Sequence, residues 1–236
     1  MSCVLLWSFK EDLMADGINA TSLLLLLSMF YGLRLAVFIY VRWISVPNMP
    51  DQAKGAEKIN SIPKILALDA VVPALYVCMV APLLWLVRSG PIIIGVSRAV
   101  SETRLWFGFS MASVGFIIET IADQHKYLAK RWRKSSYGET RFVGPTGGLY
   151  RLCRHPNFLG DILFWTGLYS NTLDMHLLRN DTILWICATL GWITILNIMY
   201  GSANRLDKKH QKKYQGQPEF DKWQKEVKAS LVPLLI

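Results

Sequence analysis

Residues 147–161 read GGLYRLCRHPNFLGD, and this stretch decides how the chain is understood. It lies where a basic loop ends and an apolar segment begins. Two arginines, a histidine, an asparagine, two aromatics and an aspartate crowd the mouth of a predicted transmembrane helix. Ionisable side chains at that depth are costly unless they pair, line a polar cavity or hold a ligand. The stretch therefore points to a site for a polar, anionic molecule at the membrane surface.

Within it, Gly144-Pro145 and Gly147-Gly148 mark a turn. Pro156 suits the first turn of a helix, where its missing N–H costs least. A helix N-terminus there is a natural anion site, and Arg154 adds a two-pronged donor for phosphate or carboxylate. Asn157 and Asp161 lie one turn apart and suit ribose hydroxyls or an amide. Tyr150 and Phe158 suit stacking on a flat ring. His155 has no histidine four residues on and no clustered cysteine, so no metal site is expected. The bland alternative is positive flanking plus a capped helix, but flanking alone does not call for His-Pro-Asn followed by a buried aspartate.

Outward from this stretch the chain is apolar. Its 236 residues are 52% hydrophobic, and the mean hydropathy is positive. The fold expected is all-α: a polytopic membrane bundle of about five transmembrane helices with a basic helical tail. The spans fall near 21–41, 65–87, 105–122, 158–173 and 182–201. Residues 91–100 are apolar but too short to cross, and suit an interfacial or re-entrant piece. The division expected is 1–104, transmembrane helices on the lipid-substrate side, and 105–236, a C-terminal domain with the cofactor pocket.

Five spans put the segments 42–64, 124–156 and 202–236 on one face, and these carry most of the lysine and arginine behind the net charge of +9. The positive-inside bias predicts a cytosolic C-terminus. Because the basic residues sit beside apolar runs, membrane contact explains the charge and nucleic acid is not an expected partner. The four cysteines are scattered without a CxxC pair, which suggests neither zinc nor a disulfide framework. No signal peptide or C-terminal address motif is expected from either end. P-loop, GxGxxG and Ser-His-Asp patterns find no support.

Three further groups carry candidate chemistry. Glu119, Asp123, Lys126 and Lys130 recur at three- and four-residue spacing on one helix face. A surface ladder of ion pairs would explain them, except that Glu119 sits inside an apolar run and needs a partner or ligand. Arg205 and Lys209, one turn apart beyond the last span, could close over a phosphorylated ligand held by Arg154. Arg34 with Tyr31, and Asp69 with Tyr76, place polar groups in the first two spans; an Arg34–Asp69 ion pair and a substrate-facing role both stay open.

On these residues the chain resembles the membrane-bound steroid 5-alpha-reductase and sterol C14-reductase superfamily, in particular proteins that share only the reductase C-terminal domain. The likeness covers residues 105–236. It is carried by Ile121-Ala-Asp-Gln-His-Lys126, by Gly148-Leu-Tyr-Arg-Leu-Cys-Arg-His-Pro-Asn-Phe-Leu-Gly-Asp161, and by the closing segment Trp223–Pro233. Isoprenylcysteine carboxyl methyltransferases and phospholipid methyltransferases have a similar Gly-x-Tyr-Arg…Arg-His-Pro stretch and bind S-adenosylmethionine there. The reductase resemblance implies an NADPH pocket on the cytosolic side, with Asp123, Tyr150, Arg154, His155, Asn157 and Asp161 matching cofactor positions. It implies a lipid or sterol substrate entering between helices, hydride transfer to a C=C bond, and a protein acid that polarises or protonates the substrate.

Two departures stand out. Residues 202–207 replace the Arg, His and Tyr of the reductase tail, keeping Arg205. The paired glutamates usual in the methyltransferases are not reproduced there. Asp69 and Tyr76 stand as the acid–base pair by residue type and depth alone. The expectation is thus a multi-pass, NADPH-dependent oxidoreductase acting on CH–CH groups of a sterol, steroid or other lipid, placed in the endoplasmic reticulum if the chain is eukaryotic. An S-adenosylmethionine-dependent methyltransferase and a non-catalytic lipid-binding protein are the alternatives.

Overall fold

The computed structural model describes residues 20–45, 98–137, 141–142, 144–171 and 182–232. Among these residues the chain is helical and has no strand. The order is α1 (Ala20–Ser45), α2 (Arg98–Tyr137), a single 3₁₀ turn (Gly148–Arg151), α3 (Pro156–Ser170), α4 (Thr182–Tyr214) and α5 (Pro218–Glu226). The expected span at 65–87, the apolar piece at 91–100, and the candidates Asp69 and Tyr76 lie outside the described residues.

Among the described residues, three helices are long and apolar enough to cross a membrane: Leu23–Val41, Thr103–Arg131 and Trp185–Tyr214. They make this an integral membrane protein, and they coincide with the first, third and fifth expected spans. The 40 residues of α2 rise about 60 Å, twice the hydrocarbon thickness, so the helix continues well past the bilayer. The fourth expected span is different. Its helix, α3, has 15 residues and rises about 22 Å, short of the roughly 30 Å hydrocarbon core. Several polar side chains on the long helices return their hydrogen bonds to their own backbone, as a lipid surrounding favours. Ser28 Oγ donates to the Leu24 carbonyl (2.8 Å), Thr120 Oγ1 to Phe116 (2.7 Å) and Asn197 Nδ2 to Ile193 (2.9 Å).

The chain divides into two compact units, Met1–Phe109 with Leu168–Trp192, and Ser110–Gly167 with Ile193–Ile236. In the first, the Tyr169 ring stacks on Trp192 with centroids 4.6 Å apart, and the Tyr169 hydroxyl lies 2.9 Å from Thr189 Oγ1.

The second unit holds two packing centres. At one, α2 and α3 cross with their backbones in contact. A Cβ on Gly115 would sit 2.6 Å from the Gly160 carbonyl oxygen, and one on Gly160 would sit 2.5 Å from the Glu119 nitrogen. Glycine at both positions is what permits the approach. At the other, Ala122, Phe142, Tyr150, Phe220, Trp223 and Val227 form a buried cluster. Phe142 stacks on Trp223 (5.5 Å) and meets Phe220 edge-on (5.1 Å). Trp223 Nε1 donates to the Tyr150 carbonyl at 3.0 Å, which fastens α5 to the 3₁₀ turn. The reversal between α4 and α5 uses Gly216 at φ 89°, a conformation that glycine adopts without a Cβ penalty.

Candidate functional site

The Arg-His-Pro-Asn stretch lies against two partners that are remote in sequence. Its backbone pairs with the C-terminal tail: Arg154 N–H donates to the Ala229 carbonyl and His155 N–H to the Ser230 carbonyl, both at 3.0 Å. Its side chains converge on Asp207 of α4. Asp207 Oδ1 accepts from His155 Nε2 (2.8 Å) and Arg154 Nε (3.2 Å). Its Oδ2 accepts from Arg154 Nη2 (2.7 Å) and Ser230 Oγ (2.8 Å). Arg154 Nη1 also donates to the carbonyls of Val227 (2.9 Å) and Lys228 (2.7 Å). Arg154 thus has one Nη2 hydrogen outside these bonds. The sequence pattern suggests a guanidinium set on a phosphate; the folded chain uses most of it to clamp the tail.

His155 is 1% exposed. Its ring stacks on Phe158 (5.7 Å) and on His210 (6.4 Å) at 29° in each case. The charges of Lys126 and Lys130 act on His210 together with those of His155 and Asp207. Burial, and then the charge of Lys126, pull the His210 imidazole down to about 4, so the positive charge of this neighbourhood comes from Lys126, Lys130 and Arg154, with Asp207 paired to Arg154. Asp207 and His210 do not stand out as site residues in the sequence, and Ser230 does not stand out as a tail anchor. A lone aspartate in the run Leu206-Asp-Lys-Lys-His-Gln-Lys-Lys213 reads as a solvated face, and only its depth in the fold reveals the role.

Three polar side chains are buried around the start of α3. Glu119 is 2% exposed, Asp161 8% and Asn157 9%. Glu119 packs over Gly160, beside Asp161. Asn157, in the first turn, has a buried Oδ1 without a hydrogen-bond partner. Buried polar atoms are nearly always satisfied, so an orphaned acceptor at a helix N-terminus marks a place for a donor.

Tyr150 is placed differently from its expected stacking role. It is 2% exposed, its hydroxyl donates to the Ala122 carbonyl (3.2 Å), and only an edge contact joins it to His125 (5.7 Å). Burial, and then the charge of Asp123, push its phenol well above the usual range. It serves the aromatic core rather than an open stacking face. Cys153 beside it is fully buried, and burial pushes its thiol up to about 11. Arg205 is exposed, and its Nη2 donates to Ser202 Oγ (2.9 Å) on its own helix. Among the described residues, no three His, Cys, Asp or Glu side chains converge as a metal site would need.

A family model described as a protein of unknown function, DUF1295, matches residues 3–227. The chain belongs to this family. It is also similar to an uncharacterized protein of the fission yeast Schizosaccharomyces pombe, 26% identical over 124 residues. That match covers 46% of this DUF1295 chain and 34% of the yeast protein, so the chain spans about a third of that relative. No solved structure matches.

Proposed function

We propose that this protein is a membrane-bound reductase that uses NADPH to saturate a C=C bond in a sterol, steroid or other lipid. One observation carries the reading: cationic groups and an unmet hydrogen-bond acceptor share one corner of the second unit. Lys126, Lys130 and Arg154 supply the positive side, and the orphaned Asn157 Oδ1 the acceptor. NADPH has the matching chemistry. Its phosphates suit the lysines and the α3 N-terminus, and a ribose hydroxyl or the carboxamide N–H suits Asn157. Glu119, Asp123 and Asp161 add acceptors along the same helices. S-Adenosylmethionine has no phosphate, and its one carboxylate is outweighed by an ammonium and a sulfonium, so it gains less from a cluster of cations.

When bound, the cofactor supplies hydride from its nicotinamide. The protein's part is to bind, orient and keep water away. The lysines attract and hold the phosphates, Asn157 takes a donor from the ligand, and the buried α2–α3 crossing forms a rigid floor. On this reading the basic elements face the cytosol, as the positive-inside bias implies, and a eukaryotic protein of this kind works in the endoplasmic reticulum.

The test is thermal unfolding in mild detergent with NADPH and, separately, with S-adenosylmethionine. A ligand that binds only the folded chain raises the midpoint. NADPH is expected to raise it. A shift with S-adenosylmethionine alone overturns the reductase reading in favour of methyl transfer, and no shift with either favours a lipid-binding protein without chemistry.

A further inference from the structure

We propose that Asp207 is a positioning residue for this site: it holds His155 in one tautomer and sets how much of Arg154 is left for a ligand. The inference rests on the nucleotide-site reading above.

The geometry is specific. Two carboxylate oxygens receive Arg154 Nε and Nη2, His155 Nε2 and Ser230 Oγ, all within 3.2 Å at their closest. An ionised carboxylate offers about four acceptor sites and no donor. Every partner must therefore donate, and His155 must carry hydrogen on Nε2. That leaves Nδ1 as an acceptor in the neutral ring, or as a second donor when the ring is charged. The ring cannot turn away, because Phe158 and His210 stack against it and only 1% of the residue is exposed.

The two oxygens divide the work. Oδ1 takes His155, while Oδ2 takes Ser230 and so fastens the tail. Arg154 bridges both, and its Nη1 reaches on to the Val227 and Lys228 carbonyls. A carboxamide in place of the carboxylate has a single acceptor oxygen and an NH₂ that opposes the same donors. The Asp207→Asn variant thus releases His155 or Arg154, while Ser230→Ala touches only the tail side. The two changes separate positioning from anchoring.

The experiment measures NADPH affinity by calorimetry in lipid nanodiscs for wild type, Asp207→Asn, Asp207→Glu and Ser230→Ala. It also reads the histidine tautomer by ¹⁵N NMR of ¹⁵N-histidine-labelled protein without ligand, with His155→Gln assigning the signal. Wild type is expected to show the Nε2–H form. Asp207→Asn should lose that signal and weaken NADPH by about tenfold or more, the scale of a hydrogen bond to a charged group. Asp207→Glu should restore most of the affinity, and Ser230→Ala should leave it nearly unchanged. An unchanged tautomer and affinity in Asp207→Asn overturns the proposal. A loss in Ser230→Ala equal to that in Asp207→Asn also overturns it, since Asp207 would then be only a tail anchor. If Asp207→Asn does not fold, the Asp207→Glu and Ser230→Ala pair decides by the same comparison. If wild type binds no NADPH, the reductase reading fails; a wild-type signal other than Nε2–H then removes the tautomer claim by itself.

Discussion

Arg154 and Asp207 are joined across 53 residues by a two-nitrogen contact, Nη2 to Oδ2 at 2.7 Å and Nε to Oδ1 at 3.2 Å. Both side chains are mostly buried, with 15% and 20% of their surface exposed. Removing one member of such a pair strands the other charge, at a cost of about 3 kcal/mol. Arg154→Ala is expected to lose about that much stability in denaturant titration. Arg154→Lys should lose about 2 kcal/mol, because an ammonium cannot hold Asp207 and the two tail carbonyls together. Equal stability of Arg154→Lys and wild type would show that the fork contributes nothing.

The crossing of α2 and α3 makes a sharper prediction. A methyl group on Gly160 would meet the Glu119 backbone, which has no flexible end to move aside. Gly160→Ala and Gly115→Ala should each destabilise by about 3 kcal/mol or fail to accumulate. Gly201, inside α4, has nothing within 4 Å of its added Cβ. Gly201→Ala should be neutral or stabilise by up to about 1 kcal/mol through helix propensity. Similar melting curves for all three variants would contradict the close crossing.

These two relationships mark what the sequence makes legible. The long spans follow directly from apolar runs in α1, α2 and α4, and the start of α3 from Pro156. Glu119 and Asp161 are recognisable as buried because a charge inside an apolar run must be shielded from lipid. Asp207 escapes because its partners lie 53, 52 and 23 residues away and no periodicity reports such contacts. Tyr150 reads as a stacking platform because its chemistry allows it. Its burial depends on Trp223 folding back from the tail, and local pattern does not encode that. Arg154 reads as a ligand-binding group for the same reason: the carbonyls of Val227 and Lys228 become its partners only when the tail docks.

That docking can be tested at Trp223. Its Nε1 hydrogen satisfies the buried Tyr150 carbonyl at 3.0 Å. Trp223→Phe keeps an aromatic ring and removes the donor. It should cost about 1–2 kcal/mol, and the Arg154 and His155 amides should exchange with solvent faster as the tail loosens. Undisturbed exchange at both amides would separate the aromatic core from the tail clamp.

Cys153 gives a pH signature. Burial raises its thiol from about 9 to about 11 in the folded chain, so this group's contribution to stability is fully present below pH 9 and is lost as pH rises through about 11. A variant retaining Cys153 as its sole cysteine should resist iodoacetamide at pH 8 until denaturant is added, because both access and thiolate fraction are low. Fast labelling of the folded protein at that pH would contradict the buried setting.

The reductase reading is tested most directly by following the hydride. The purified protein in nanodiscs made from a total membrane lipid extract is given NADPH deuterated at the transferable nicotinamide C4 position, and the lipids are then analysed by mass spectrometry. The expected result is a lipid product carrying one deuterium on a newly saturated carbon, with matching formation of NADP⁺ and a marked loss of both in Lys126→Ala/Lys130→Ala. Absence of deuterium from every lipid, with a labelled methyl group appearing instead from S-adenosylmethionine, would contradict it.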